Sequence, residues 1–140
     1  DVVEVNNFYD PEKVSLPLIA NIIESNKIQT EWTTNMLQSI HDEKKLDGIV
    51  LVGAAFKEDT DDLRNSPTLD IYTQLKDKNL NVKIYDELID SKDFISTEDF
   101  ENLETSCLIA LMYPVKDELM LKINNIVTRT NSFLYTPWQI

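Results

Sequence analysis

Apolar residues fall in two rhythms along this chain. From residue 16 to about 40 they recur at helical spacing. Leu18, Ile19, Ile22, Ile23, Trp32, Met36, Leu37 and Ile40 carry the pattern, and no helix breaker interrupts it. Ser15 supplies an N-cap, and Pro17 falls in the first turn, where its missing N–H is tolerated. From Gly48 onward the rhythm changes: short apolar runs alternate with amphipathic stretches. Residues 48–53, 81–86, 107–112 and 132–136 predict strands. Residues 67–78, 97–104 and 115–127 predict helices, the last with Val115, Leu119, Ile123, Ile126 and Val127 on one face. Such alternation implies right-handed crossovers and a parallel sheet. The expected fold class is α/β: a parallel sheet with flanking helices, preceded by a long N-terminal α-helix.

The first helix is long for its setting. It spans roughly 37 Å at ~1.5 Å per residue, whereas the remaining residues would form a ball about 34 Å across. Its apolar positions also cover more than one face in the first half. It is therefore expected to project beyond its own domain and pack on something else. Residues 1–14 read as an irregular lead-in and residues 41–47 as a polar linker. The expected division is 1–46, lead-in and long helix, followed by 47–140, a sheet domain.

Composition narrows the function classes. The 140 residues include 13 basic and 25 acidic side chains, a net charge of -12. That balance argues against generic nucleic-acid binding, which needs a basic footprint, and fits a solvated, self-repelling surface. Cys107 is the one cysteine, so no intramolecular disulfide is expected, as suits a reducing cytoplasm. No apolar run reaches the ~18 residues of a membrane span, and no signal segment opens the chain. The chain starts at Asp1 in what reads as mid-protein sequence, so a fragment of a longer protein is expected.

Candidate chemistry gathers after the first predicted strand, in the stretch from Gly53 to Pro67. Gly53 ends that strand. Lys57 follows four residues later, and Arg64 just before Ser66-Pro67, a cap and first-turn pair that opens a helix. The N-terminal turn of a helix carries about half a positive charge, and ligands of open parallel sheets sit beyond the C-terminal ends of the strands. Lys57 offers a compact charge for a diphosphate and Arg64 a planar fork. Glu58, Asp59, Asp61 and Asp62 nevertheless make this loop net negative. They must turn away, cap turns or pair with Arg64, and pairing with Asp61 or Asp62 is the alternative role for that arginine. The acids lack the spacing of a calcium loop, so no metal is expected. Asp86 ends the second strand, where an acidic residue either binds ribose or serves as a turn residue.

The stretch resembles the G-x-x-F-K-x-x-T-D-D-x-R-x-S-P signature of the nucleotide-sugar 6-dehydrogenases. These form the UDP-glucose/GDP-mannose dehydrogenase family, and the signature lies in their C-terminal UDP-binding domain. The resemblance covers about residues 16–140. Asn26 and Gln29 resemble polar residues of the family's long central helix. The resemblance implies a Rossmann-like sheet, a homodimer through the long helix, and a UDP-sugar site lined by Phe56 and Lys57, to which Gly53, Arg64 and Asp86 are added as the candidates read above. Full enzymes of the family use NAD to oxidise the sugar C6 alcohol to a uronate in two hydride transfers, through a cysteine thiohemiacetal and thioester.

Much of that apparatus is missing from the sequence. It holds no G-x-G-x-x-G turn for NAD and no G-G-x-C-x-P-K-D nucleophile motif. Cys107 falls inside a strand pattern with no adjacent base. His41, in the linker, reads as a surface residue. The family's acidic-alanine pair before the third strand is replaced by Thr105-Ser106-Cys107. Its closing acid and arginine are absent from Phe133-Leu134-Tyr135-Thr136-Pro137-Trp138. The chain is thus expected to bind UDP-sugar without catalysing alone. The alternative is an interaction module that kept the fold and lost the ligand. A response-regulator-like domain would need an aspartate where Met112-Tyr113-Pro114 stands.

Overall fold

A computed structural model describes residues 17–55, 61–64 and 66–136. The Ser15 cap, the lead-in, Phe56, Lys57 and Trp138 lie outside the described residues.

The first helix, α1, runs from Pro17 to Lys44. Strand β1 (Gly48–Val52) follows, then α2 (Pro67–Asp77), β2 (Val82–Tyr85), α3 (Thr97–Glu101), β3 (Cys107–Leu111), α4 (Asp117–Thr130) and β4 (Phe133–Tyr135). The four strands pair in the order β2-β1-β3-β4, and every pairing is parallel. In β1, Val50 faces Lys83 of β2 and Ile109 of β3 across the ladders. Strands β1 and β3 are buried on both faces, which explains their unbroken apolar runs, whereas β2 exposes Lys83 and β4 is half-buried.

Alternation along the strands splits the core in two. Val50, Val52, Tyr85, Ile109 and Leu111 pack with Phe100 and Leu103 and with Leu119, Ile123 and Ile126 of α4. Ile49, Leu51, Ile84, Leu108 and Ala110 pack with Ile71 and Leu75 of α2 and Leu37 of α1. Helices α1 and α2 therefore cover one face, and α3 and α4 the other. The α/β sheet is doubly wound, of the expected Rossmann-like kind. Tyr85 stacks on Phe100 with centroids 4.1 Å apart. Burial raises its hydroxyl above the usual 10.0, against the opposing hydrogen bond with Thr97.

Helix α1 serves the domain core with its second half. Thr33, Thr34 and Leu37 are buried, and the Thr34 hydroxyl is satisfied by the Thr30 carbonyl at 2.9 Å. Burying a leucine completely contributes about 2 kcal/mol. Further back the helix stands clear: Ile28 is 57% and Trp32 52% exposed. The helix projects as its length implied, but it is also part of the fold beneath it.

The predicted linker at 41–47 is mostly helix. Residues 41–44 form the last turn of α1, and His41, paired with Asp42 at 2.9 Å, keeps a side chain only 15% exposed. Lys45 then adopts φ 52. The Leu46 N–H reaches back to the His41 carbonyl at 3.1 Å, and Leu46 packs with the core. This is a Schellman stop. Helices α2 and α4 end the same way, at Asn79 (φ 61) and Asn131 (φ 56). Leu80 there donates to Leu75, and Ser132 to Val127. Among the described residues, no helix is long and apolar enough to cross a membrane.

Candidate functional site

The C-terminal ends of β1, β2 and β3 meet at one carboxylate. Asp86, 6% exposed, sits just past β2. Its Oδ2 accepts the Ala54 N–H at 2.8 Å and the Tyr113 hydroxyl at 3.1 Å. Its Oδ1 accepts the Leu88 N–H at 2.8 Å. One side chain thus ties the exit of β1, the exit of β3 and its own turn. Hydrogen bonds to a carboxylate are about twice as strong as neutral ones, so this knot fixes where the strands release the chain.

The chain leaving β1 is held on every side. The Gly53 N–H donates to the Tyr85 carbonyl at 2.9 Å. The Gly53 carbonyl accepts the Thr68 hydroxyl at 2.8 Å, and the Ala54 carbonyl accepts the Ser66 hydroxyl. Ser66 is also the N-cap of α2, accepting the Leu69 N–H at 3.4 Å, as the Ser66-Pro67 pair predicts. Gly53 itself has φ +106, and an added Cβ would lie 2.7 Å from the Tyr113 ring. The glycine is required by that backbone angle and by the ring against it.

Between Gly53, Asp86, Leu88, Tyr113, Lys116 and Leu119 lies a cleft of about 60 Å³. The Tyr113 ring rests against Gly53 at the end of β1, and its hydroxyl reaches Asp86 past the end of β2.

Arg64 stands apart. Its Nε lies 3.0 Å from Asp62 Oδ1 and its Nη2 2.8 Å from Oδ2, a two-pronged pair. The Arg64 side chain is 75% exposed. Hydrogen bonds from that side chain, then from the Arg64 N–H, pull the Asp62 carboxyl down from 3.8 to about 2. Part of the loop's acidity is thereby spent on its own arginine.

Of the five residues expected to hold ligand, the structure brings Gly53 and Asp86 together and leaves Arg64 beside Asp62 in solvent. Phe56 and Lys57 belong to the undescribed part of the loop. Cys107 lies at the start of β3, the opposite end of the sheet from this mouth. Tyr113, Thr68 and Asp62 complete the arrangement. Tyr113 had a legible signal, an aromatic residue directly following a buried parallel strand.

A parallel β2-β1-β3-β4 sheet, covered on both faces and with a structured mouth at β1, defines a Rossmann-like α/β domain. The family model for the UDP-glucose/GDP-mannose dehydrogenase family, UDP binding domain, matches residues 50–129. That is more than half of the chain, and the chain belongs to this family. A UDP-glucose 6-dehydrogenase of Rickettsia prowazekii is 28% identical over 99% of this chain and 31% of its own length. A GDP-mannose 6-dehydrogenase of Pseudomonas putida is 32% identical over 61% of this chain and 20% of its own. The chain spans about a third of the length of the Rickettsia relative. Among solved structures, a ternary complex of GDP-mannose dehydrogenase from Pseudomonas aeruginosa superposes with TM-score 0.61 at 19% identity. It covers 97% of this chain and 34% of that one. A UDP-N-acetyl-mannosamine dehydrogenase from S. aureus gives 0.55 at 17% identity, over 77% of this chain and 30% of that one. These two likenesses bear on the fold.

Proposed function

We propose that this chain is the UDP-sugar-binding portion of an NAD-dependent nucleotide-sugar 6-dehydrogenase, whose whole form oxidises the sugar C6 alcohol to a uronate. The observation that carries the reading is the family match from β1 to the last turn of α4, laid over a β1 exit that is hydrogen-bonded in place. In this reading the UDP diphosphate lies over the loop after Ala55. Lys57 supplies the compact charge and Phe56 lines the site. Gly53 and Asp86 set the loop's origin, and Arg64, whose Nε and Nη2 hold Asp62, lends its charge beside them.

The residues present do not fit NAD. The chain's two glycines, Gly48 and Gly53, bracket β1, and the Tyr113 ring fills the space against Gly53. No glycine-rich turn here can cradle a dinucleotide pyrophosphate. The hydride chemistry and its cysteine belong, in this reading, to other parts of the parent enzyme. The chain alone binds without turnover. The single cysteine favours a cytoplasmic setting. The exposed stripe of Ile28 and Trp32, one turn apart on α1, supports a homodimer across that helix.

Calorimetric titration of the chain with UDP tests the reading, with Lys57→Ala as the comparison. Saturable heat that Lys57→Ala reduces is expected. Equal heats from both proteins would remove Lys57 from the site. The second reading, an interaction module without ligand, is favoured by the pairing of Arg64 with Asp62. It requires dimerisation in sedimentation and no UDP-induced rise in Tm, since a ligand that binds only the folded state must raise it.

A further inference from the structure

The passage from α1 into β1 is fastened to the starts of the three other strands. The Asp47 N–H donates to the Ser106 carbonyl at 2.8 Å, and the Ser106 N–H returns to Asp47 Oδ2 at 3.3 Å. Ser106 directly precedes β3. The Ile49 N–H donates at 2.8 Å to the carbonyl of Asn81, the residue before β2. The Lys44 ammonium lies 4.3 Å from the centroid of the Phe133 ring, at the first position of β4, a cation–π contact. Ile40 and Leu46 pack on the same core that Leu37 enters.

Nothing in this passage is built to bend. Residues 41–47 hold neither glycine nor proline. The left-handed turn falls on Lys45 (φ 52), a residue with fewer accessible conformations than the glycine usual at that place. Gly48 follows, and it is not a hinge either. It is buried, and an added Cβ would lie 2.9 Å from the Asn81 carbonyl oxygen. This glycine makes room for a close approach of backbone. On the other side of the passage, α1 is a continuous helix of 28 residues. Its second half is sunk into the domain at Thr33, Thr34 and Leu37, and Ile28 and Trp32 stand clear of it.

From these contacts we propose that residues 41–47 are a rigid joint. The exposed part of α1 and the four-stranded sheet then move as one lever. Whatever docks on Ile28 and Trp32 is held at a fixed distance and direction from the sheet. A short polar run between a helix and a sheet reads as a linker, and the holds from β2, β3 and β4 make it a clasp. The inference goes beyond the UDP-binding reading and needs neither a ligand nor a second copy.

Pulsed electron resonance between two spin labels tests it. One pair, Glu24→Cys with Asn124→Cys, spans the joint from α1 to α4. A second pair, Gln29→Cys with Glu43→Cys, lies within α1 and gives the spread due to the labels alone. All four positions are exposed, and Cys107, 4% exposed, stays unlabelled in the folded chain. Labelled chain is diluted with unlabelled chain, so that a second copy adds no distance. The expected result is one maximum for the spanning pair, as narrow as that of the pair within α1. Two glycines inserted between Lys45 and Leu46 act as flexible coil and should broaden the spanning distribution by about twofold or more. If the insertion prevents folding, Lys44→Ala with Leu46→Ala keeps the chain length, removes two of the side-chain holds and should broaden it as well. A wild-type spanning distribution broader than the reference by about twofold or more, or one with two maxima, would overturn the rigid joint. So would a Lys44→Ala, Leu46→Ala chain as narrow as wild type, which would take the hold away from these side chains.

Discussion

The Thr68 hydroxyl donates to the Gly53 carbonyl at 2.8 Å across fifteen residues of chain. The first turn of α2 is thereby fastened to the last residue of the β1 exit. Thr68 is 2% exposed, so no water replaces the bond if it is lost. Thr68→Val keeps the shape and strands the carbonyl. It should lower unfolding free energy by about 1–3 kcal/mol in a urea melt. Ser66→Ala, which also removes a helix cap, should cost a comparable amount.

Gly53→Ala should be worse tolerated than either. The backbone angle of +106 disfavours any side chain, and the new methyl group would overlap the Tyr113 ring. A loss of about 2–4 kcal/mol is expected. In the Tyr113→Ala background the overlap disappears and the backbone cost stays. The second Gly53→Ala measurement should therefore show a smaller but nonzero loss. Equal losses in both backgrounds would show that the ring exerts no steric limit on position 53.

The Asp62 carboxyl should titrate near 2 by carboxyl carbon NMR, and return toward 3.8 in Arg64→Gln. Its folded value lies below the unfolded one. The pair's contribution is accordingly complete above the ordinary value and fades as pH falls through about 2. Both groups are largely in solvent, so added salt should weaken the shift. A titration unmoved by Arg64→Gln would dissolve the pair.

The two halves of α1 should respond differently. Leu37 is fully buried in the sheet's core, so Leu37→Ala should destabilise the domain by about 2–5 kcal/mol. Trp32 is 52% exposed, so Trp32→Glu should leave the monomer's urea midpoint nearly unchanged. If a second copy packs on that stripe, the same substitution should weaken self-association in sedimentation. An unchanged association constant would remove Trp32 from the interface.

The strands were legible because each is a short apolar run, and the observed elements fall within a few residues of the expected ones. The end of α1 was not. Helix stops are usually announced by glycine, and here Lys45 takes the left-handed turn, with Leu46 stabilising it through core contacts that no local pattern reveals. The loop's excess of acid posed a puzzle in the sequence. Its answer, in part, is the two-pronged grip of Asp62 on Arg64, a contact two residues long that either Asp61 or Asp62 was able to make.

The order of strands and helices, the two buried strand faces and the cap at Ser66 followed from the sequence alone. They depend on periodicity and on groups a few residues apart, which the covalent chain already holds close together. The placement of Asp86 did not follow. Its three donors come from Ala54, Leu88 and Tyr113, and two of them reach it only after the sheet brings β1 and β3 to its side. The same is true of the tyrosine over Gly53. A glycine that reads as room for a ligand proved to be room for a ring, because folding alone decides which group arrives at an empty space.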